Sequence, residues 1–184
     1  MVAKDNDIKI QNVVVSADTH TKFSLEHLAS KLESAEYEPE SFPGLVYRIK
    51  EPKASTLVFT TGKIICSGSK SLKKAKEAIN IVMKTFSKYG VTIPKKIDVE
   101  VVNIVASASL NVRLDLNKIV FDIGECEYEP EQFPGLVLRL DKPKVVFLLF
   151  NSGKIVCTGA RSEDTVEIAI KNLKKKLRAI KAMK

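Results

Sequence analysis

Along the chain the spacing of hydrophobic and polar positions changes in a fixed order, and that order occurs twice. An apolar strand is predicted over Ile8–Ser16 and again over Val99–Ser107. A short helix follows each, around Ser24–Leu32 and Asp115–Phe121, with Ser24 and Asp115 as N-caps. A short strand then leads into a Glu-Pro-Glu loop. Beyond Pro43-Gly44 come three β-type stretches, Leu45–Lys50, Ser55–Thr60 and Lys63–Ser67, with partners 91 residues later beyond Pro134-Gly135. Pro52-Lys53 and Pro143-Lys144 separate the first two of these strands. Thr61-Gly62 and Ser152-Gly153 turn the next hairpin. Each copy closes with a long helix. Leu72, Ala75, Ile79, Val82, Met83 and Phe86 form the apolar stripe of the first, and Val166, Ala169, Ile170, Leu173, Leu177 and Ile180 that of the second. A short linker, Tyr89 to Lys96, joins the copies, with Gly90 ending the helix and Pro94 stiffening the crossing.

Side-chain parity adds a second point. Residues two apart in a strand share a face. Ser55, Leu57 and Phe59 share one face, as do Val146, Leu148 and Phe150; the other parity gives Thr56, Val58 and Thr60 against Phe147, Leu149 and Asn151. Asn12 and Val14 likewise share a face opposite Val13 and Val15. Both sheet faces are thus largely apolar. Helices can cover one, and an apolar face left open marks a binding surface.

The two copies align without a gap. Residues 36–46 return as 127–137 with ten of eleven identical, and the same offset maps Asn12 onto Asn103, Phe59 onto Phe150, Gly62-Lys63 onto Gly153-Lys154 and Cys66 onto Cys157. The predicted class is α+β: two tandem pseudo-symmetric repeats, each strand, helix, four strands, helix. The predicted boundaries are an N-terminal extension over 1–7 and repeats over 8–91 and 92–184. A pseudo-two-fold protein presents a pseudo-symmetric surface, and double-stranded DNA is one partner with matching symmetry.

Composition narrows the classes. The net charge is +8, and residues 1–91 and 92–184 each carry +4, so the charge follows the repeat and favours a polyanionic partner. No secretory signal or membrane-length apolar run is present, which predicts a soluble intracellular protein without a membrane partner. Three cysteines show no metal-ligand spacing, and their odd number argues against a disulfide framework. Cys66 and Cys157 read as small core residues, and His20 and His27 as surface residues. No Ser/His/Asp set, metal cluster or cofactor motif is apparent, so no catalytic residues, metal or cofactor are predicted.

On Gln11-Asn12-Val13-Val14, Glu36–Phe42, Phe59-x-x-Gly62-Lys63 and Cys66-Ser67-Gly68, with their second copies, the chain resembles the TATA-box-binding proteins over essentially its whole length. The resemblance implies one ten-stranded antiparallel saddle with helices on the convex face. It also implies a general transcription initiation factor that binds the minor groove of A/T-rich, TATA-like promoter DNA. Bending by inserted side chains is itself a known property of this family.

By that resemblance Phe42, Phe59, Phe133 and Phe150 would be wedges between base steps. Phe42 and Phe133 stand in an exposed context, whereas Phe59 and Phe150 read from the residues alone also as core aromatics. Asn12 and Asn103 would meet base edges, where an A·T minor groove offers only acceptors. Val14, Leu57, Ser67, Val105, Leu148 and Thr158 would line the groove floor. Arg48, Lys53, Lys63, Arg139, Lys144 and Lys154 would contact phosphates. The acidic loops would point away from the duplex, and Glu129, Glu131 and Gln132 would bind transcription factor B, with RNA polymerase engaged indirectly. The basic final helix, with seven basic and no acidic residues over 171–184, reads as a partner surface or a solvated face.

The short beginning and the lack of an acidic tail point to an archaeal source, which would place the protein in the nucleoid-associated cytoplasm; a eukaryotic source would place it in the nucleus. Two other functions compete, a nucleic-acid enzyme built on a duplicated sheet and an RNA-binding module. RNA's broad minor groove and 2′-hydroxyls suit an apolar face poorly. The sequence leaves open whether the free protein covers its face as a homodimer.

Overall fold

The computed structural model describes residues 7–184; the remainder of the expected N-terminal extension, 1–6, lies outside the described residues. The described residues divide into two compact units, residues 12–102 and residues 103–184 together with residues 7–11. In the first repeat β1 (Lys9–Asp18), α1 (Leu25–Lys31), β2 (Ala35–Glu36), β3 (Leu45–Ile49), β4 (Ala54–Val58), β5 (Lys63–Ser69) and α2 (Leu72–Ser87) follow one another. The second repeat carries them again as β6 (Asp98–Ser109), α3 (Leu116–Ile123), β7 (Cys126–Glu127), β8 (Leu136–Asp141), β9 (Lys144–Leu149), β10 (Lys154–Ala160) and α4 (Glu163–Ala179). The strand order is β2-β3-β4-β5-β1 in one and β6-β10-β9-β8-β7 in the other, all antiparallel. The α+β class, the ten antiparallel strands and the two tandem repeats agree with the sequence reading.

Alternation along each strand sets which side is core. In β4, Ala54, Thr56 and Val58 are buried, whereas Ser55 and Leu57 are half-exposed. In β9, Val145, Phe147 and Leu149 are buried, with Val146 and Leu148 half-exposed. The buried parity packs against the long helix of its unit, α2 over β5 and α4 over β10. Ala75, Ile79, Val82, Met83 and Phe86 supply the apolar stripe of α2 and Val166, Ala169, Ile170, Leu173 and Leu177 that of α4. Leu72 and Ile180, expected in those stripes, are partly exposed because they stand at the first position of α2 and the C-cap of α4.

Capping follows the sequence in part. Asp115 accepts the Lys118 amide at 3.1 Å, whereas Ser24 holds the N-cap position without a side-chain cap bond. Helix α2 ends at Ser87, and the Gly90 amide donates back to the Ser87 carbonyl at 3.2 Å with φ of 87°. Cys66 and Cys157 are fully buried, and burial pushes both thiols up to about 11, so they are protonated core residues. His20 and His27 are exposed, His20 beside Asp18 and Asp98.

A candidate nucleic-acid interface in each repeat

The strand parity that the helices do not cover is the candidate site, and it is built the same way in each unit. Antiparallel partners share a face. Leu57 therefore lies between Val46 and Ile65, and Ser55 beside Ser67. In the second unit Leu148 lies between Val137 and Val156, and Val146 beside Thr158. Val14 and Val105 are half-exposed on β1 and β6. Val46, Ile65, Val137 and Val156 were not singled out from sequence, although their two-residue spacing from neighbouring face positions is the signal that identifies them.

At the end of this face stands an aromatic pair. Phe59 and Phe150 lie just past the ends of β4 and β9, in the hairpin turns, where the Gly62 amide donates to the Phe59 carbonyl at 3.0 Å and Gly153 to Phe150 at 2.9 Å. Both are half-exposed, so neither is a core aromatic. Phe42 and Phe133 come from the acidic loops, whose backbone folds into a tight turn: their amides donate to the carbonyls of Glu38 and Glu129 at 2.9 Å. The rings meet edge to face, Phe42 with Phe59 at 6.0 Å and 68°, and Phe133 with Phe150 at 5.9 Å and 72°. Phe42 is 38% and Phe133 42% exposed.

Gly44 and Gly135 make that placement possible. A Cβ on Gly44 would lie 2.6 Å from Phe42 Cε1 and 3.1 Å from Phe59 Cε1, and one on Gly135 would lie 2.6 Å from Phe133 Cε1 and 3.0 Å from Phe150 Cε1. Any side chain there would push the rings apart. The repeated Phe-Pro-Gly was the sequence signal, read there only as the boundary before the β-type stretches.

Asn12 and Asn103 are set by a different local device. Strand pairing slips between Val13 and Val15 of β1, opposite Gly68 (φ 92°) on β5, and between Cys157 and Ala160 of β10, at Gly159 (φ 98°) itself. Such a slip is a bulge, and it leaves an amide without a ladder partner. Asn12 Oδ1 accepts the Gly68 amide at 2.8 Å, and Asn103 Oδ1 accepts the Gly159 amide at 2.7 Å. With its carbonyl oxygen so engaged, each side-chain amide keeps its NH₂ for another acceptor. Asn103 spends one of those hydrogens on Thr158 Oγ1 at 3.2 Å. A glycine one residue past each predicted strand, Gly68 and Gly159, was the available signal.

The six cations divide into two kinds. Lys53, Lys63, Lys144 and Lys154 are exposed, and among the described residues none of their ammonium groups has an ion-pair partner. Arg48 pairs with Glu36, and Arg139 with Glu127 at 2.7 Å. The Glu36 carboxylate raises the Arg48 guanidinium above its ordinary value. For Glu36 and Glu127 these pairs correct the expectation that the acidic loops 36–40 and 127–131 point away from the open side. Glu36 sits opposite Val46 and Glu127 opposite Val137 in the ladder, so strand pairing puts both carboxylates on the half-exposed face. Glu129, Glu131 and Gln132 are exposed in the turn beyond. No metal-ligating cluster occurs among the described residues, and no helix there is long and apolar enough to cross a membrane.

Fold and site together define a duplicated α+β protein whose repeats each bare an apolar strand face tipped by paired aromatics and flanked by cations. The family described as transcription factor TFIID, or TATA-binding protein, matches residues 7–89 and 98–180. The chain is 45% identical to the TATA-box-binding protein of Archaeoglobus fulgidus over 98% of this chain and 100% of that one. It is 48% identical to TATA-box-binding protein B of Halobacterium salinarum over 92% of each. The solved structure of Methanococcus jannaschii TBP matches with a TM-score of 0.86 at 47% identity, covering 95% of this chain and 98% of that one. The chain belongs to the TATA-binding protein family, a family of transcription factors. These relatives are archaeal, in line with the expected source.

Proposed function

We propose that the chain is a general transcription initiation factor that binds A/T-rich, TATA-like promoter DNA through the minor groove and kinks it with its phenylalanine pairs. One observation carries the reading: in each repeat an exposed aromatic pair is held above a glycine at the edge of a bare apolar strand face. A flat apolar ring replaces lost base stacking without requiring hydrogen bonds, which suits a wedge; this family is itself the known case of such insertion. Asn12 and Asn103 donate from amides whose oxygen is already engaged, and donors match the adenine N3 and thymine O2 of an A·T groove. The guanine exocyclic amine would present a second donor there and is disfavoured.

Lys53, Lys63, Lys144 and Lys154 supply phosphate contacts and release counterions. Arg48 and Arg139 join them by exchanging an exposed carboxylate for a phosphate, a small penalty because solvent-exposed pairs are weak. Val14, Leu57, Ser67, Val105, Leu148 and Thr158 line the groove floor through van der Waals contact. Glu129, Glu131 and Gln132 then recruit transcription factor B and, through it, RNA polymerase. The protein acts by binding and deformation, without catalysis.

The test measures affinity and bending together on a labelled TATA-like duplex and a G·C-substituted control across a salt series. The expected outcome is tight, salt-sensitive binding with a large bend on the A·T duplex alone. Equal weak binding to both duplexes without bending would overturn the proposal.

A further inference from the structure

The two repeats differ most, among exposed apolar positions, on the short helix. Phe121 on α3 is 88% exposed, far more than any other large hydrophobic residue among those described; the next is Ile168 at 53%. Its counterpart 91 residues earlier is Ser30. Nothing in the fold requires an aromatic ring there, since Leu116 and Ile119 form the buried side of the same helix. From Phe121 the chain passes through Gly124 directly into the acidic turn. Residues 121–132 contain Asp122, Glu125, Glu127, Glu129 and Glu131 and no basic residue, in a chain of net charge +8. Lys118 pairs with Asp122 and Arg139 with Glu127. Glu125, Glu129 and Glu131 are exposed without an ion pair among the described residues. In the first repeat Asp122 and Glu125 correspond to Lys31 and Ser34, so both the ring and part of the charge are particular to the second repeat.

We infer that Phe121 is the apolar anchor of a protein-docking surface that continues into the acidic turn. The partner it fits is a protein with a pocket for one benzyl ring, rimmed by lysine or arginine side chains. Buried aromatic anchors dominate interface energies, and complementary charge around them sets register. The proposal rests on the reading that Glu129 and Glu131 engage transcription factor B, and extends that surface onto α3. It also supplies asymmetry. The aromatic pairs, asparagines and lysines are duplicated, so a partner that fixes orientation on DNA must read a place where the repeats differ.

The test adds transcription factor B to the full chain bound on a TATA-like duplex, comparing wild type, Phe121→Ser, Phe121→Leu and a Glu129→Arg, Glu131→Arg double variant. Phe121→Ser removes only an exposed ring, so melting temperature and DNA binding should not change. It should weaken capture of transcription factor B by at least about tenfold, with Phe121→Leu retaining most of it. Unchanged capture by Phe121→Ser alongside loss in the double variant would overturn the anchor and leave the acidic-turn reading standing. Loss in Phe121→Ser alone would keep the anchor and remove the acidic-turn reading. Wild-type capture by both would overturn both.

Discussion

The two repeats are nearly interchangeable on their open faces and quite different inside. The aromatic pairs agree within 0.1 Å in centroid separation and 4° in interplanar angle, from 6.0 Å and 68° against 5.9 Å and 72°. In the core the bulk is redistributed. The first unit uses Phe23, Tyr47 and Phe86, with Phe86 5.7 Å from Phe23 and 6.0 Å from Tyr47, and places the small Thr56 opposite Tyr47. The Thr56 hydroxyl, buried, donates to the Tyr47 carbonyl at 2.9 Å. In the second unit the same four positions are Leu114, Leu138, Leu177 and Phe147, all buried. Three aromatics and a threonine have become three leucines and a phenylalanine. A core tolerates such exchange when total volume and pattern are kept. On the open faces the phenylalanine pairs, Asn12 and Asn103, and Leu57 and Leu148 keep their residue types, while Ser55, Ile65 and Ser67 become Val146, Val156 and Thr158.

The sharpest way to break this comparison is to import one core residue without its companions. Phe147→Thr should destabilise the protein by about 3–5 kcal/mol, the usual range for deleting a buried phenylalanine. Adding Leu114→Phe, Leu138→Tyr and Leu177→Phe should recover part of the loss. Urea midpoints would decide, and a quadruple variant no more stable than Phe147→Thr would show that the two cores are not volume-compensated.

Smaller effects test the surface. Phe42→Ala and Phe133→Ala should each lose about 1–3 kcal/mol of affinity for a TATA-like duplex, the range for an aromatic stacked on a base, together with part of the bend. Similar losses would extend the structural equivalence to function, while a silent Phe42→Ala would confine the wedge to the second repeat. Least severe are Asn12→Ala and Asn103→Ala. Each frees a glycine amide that water can reach, so stability should fall by under about 1 kcal/mol. Discrimination of A·T over G·C should weaken. The Asn103 variant should show the larger stability loss, because it also gives up the bond to Thr158. Equal stability of the two variants would mean that the Thr158 bond contributes nothing.

Much of this was legible in advance because it is written in local chemistry. The gapless repeat, the β-type runs and the two apolar helical stripes follow from periodicity. Parity placed Leu57 and Leu148 on the face opposite Thr56 and Phe147. The readings that needed correction all concern an end or an edge. Leu72 and Ile180 fit the helical period but sit where the helix no longer covers them. Glu36 and Glu127 looked like loop acids, yet two-residue strands β2 and β7 are too short to register as periodic, and pairing turned both carboxylates onto the open face.

The sequence alone determined the duplication, the order of elements, which strand positions share a face and the even spread of positive charge, since each depends on residues a few places apart or on direct comparison of the copies. The tertiary structure decided the rest. Asn12 is oriented by Gly68, 56 residues away, and Phe42 is seated by Gly44 against Phe59. Phe121 emerged as the most exposed large apolar residue among those described only once the packing of α3 on Leu116 and Ile119 was fixed. Contacts between distant residues fix where a side chain points and what it has left to offer, and no local pattern encodes that.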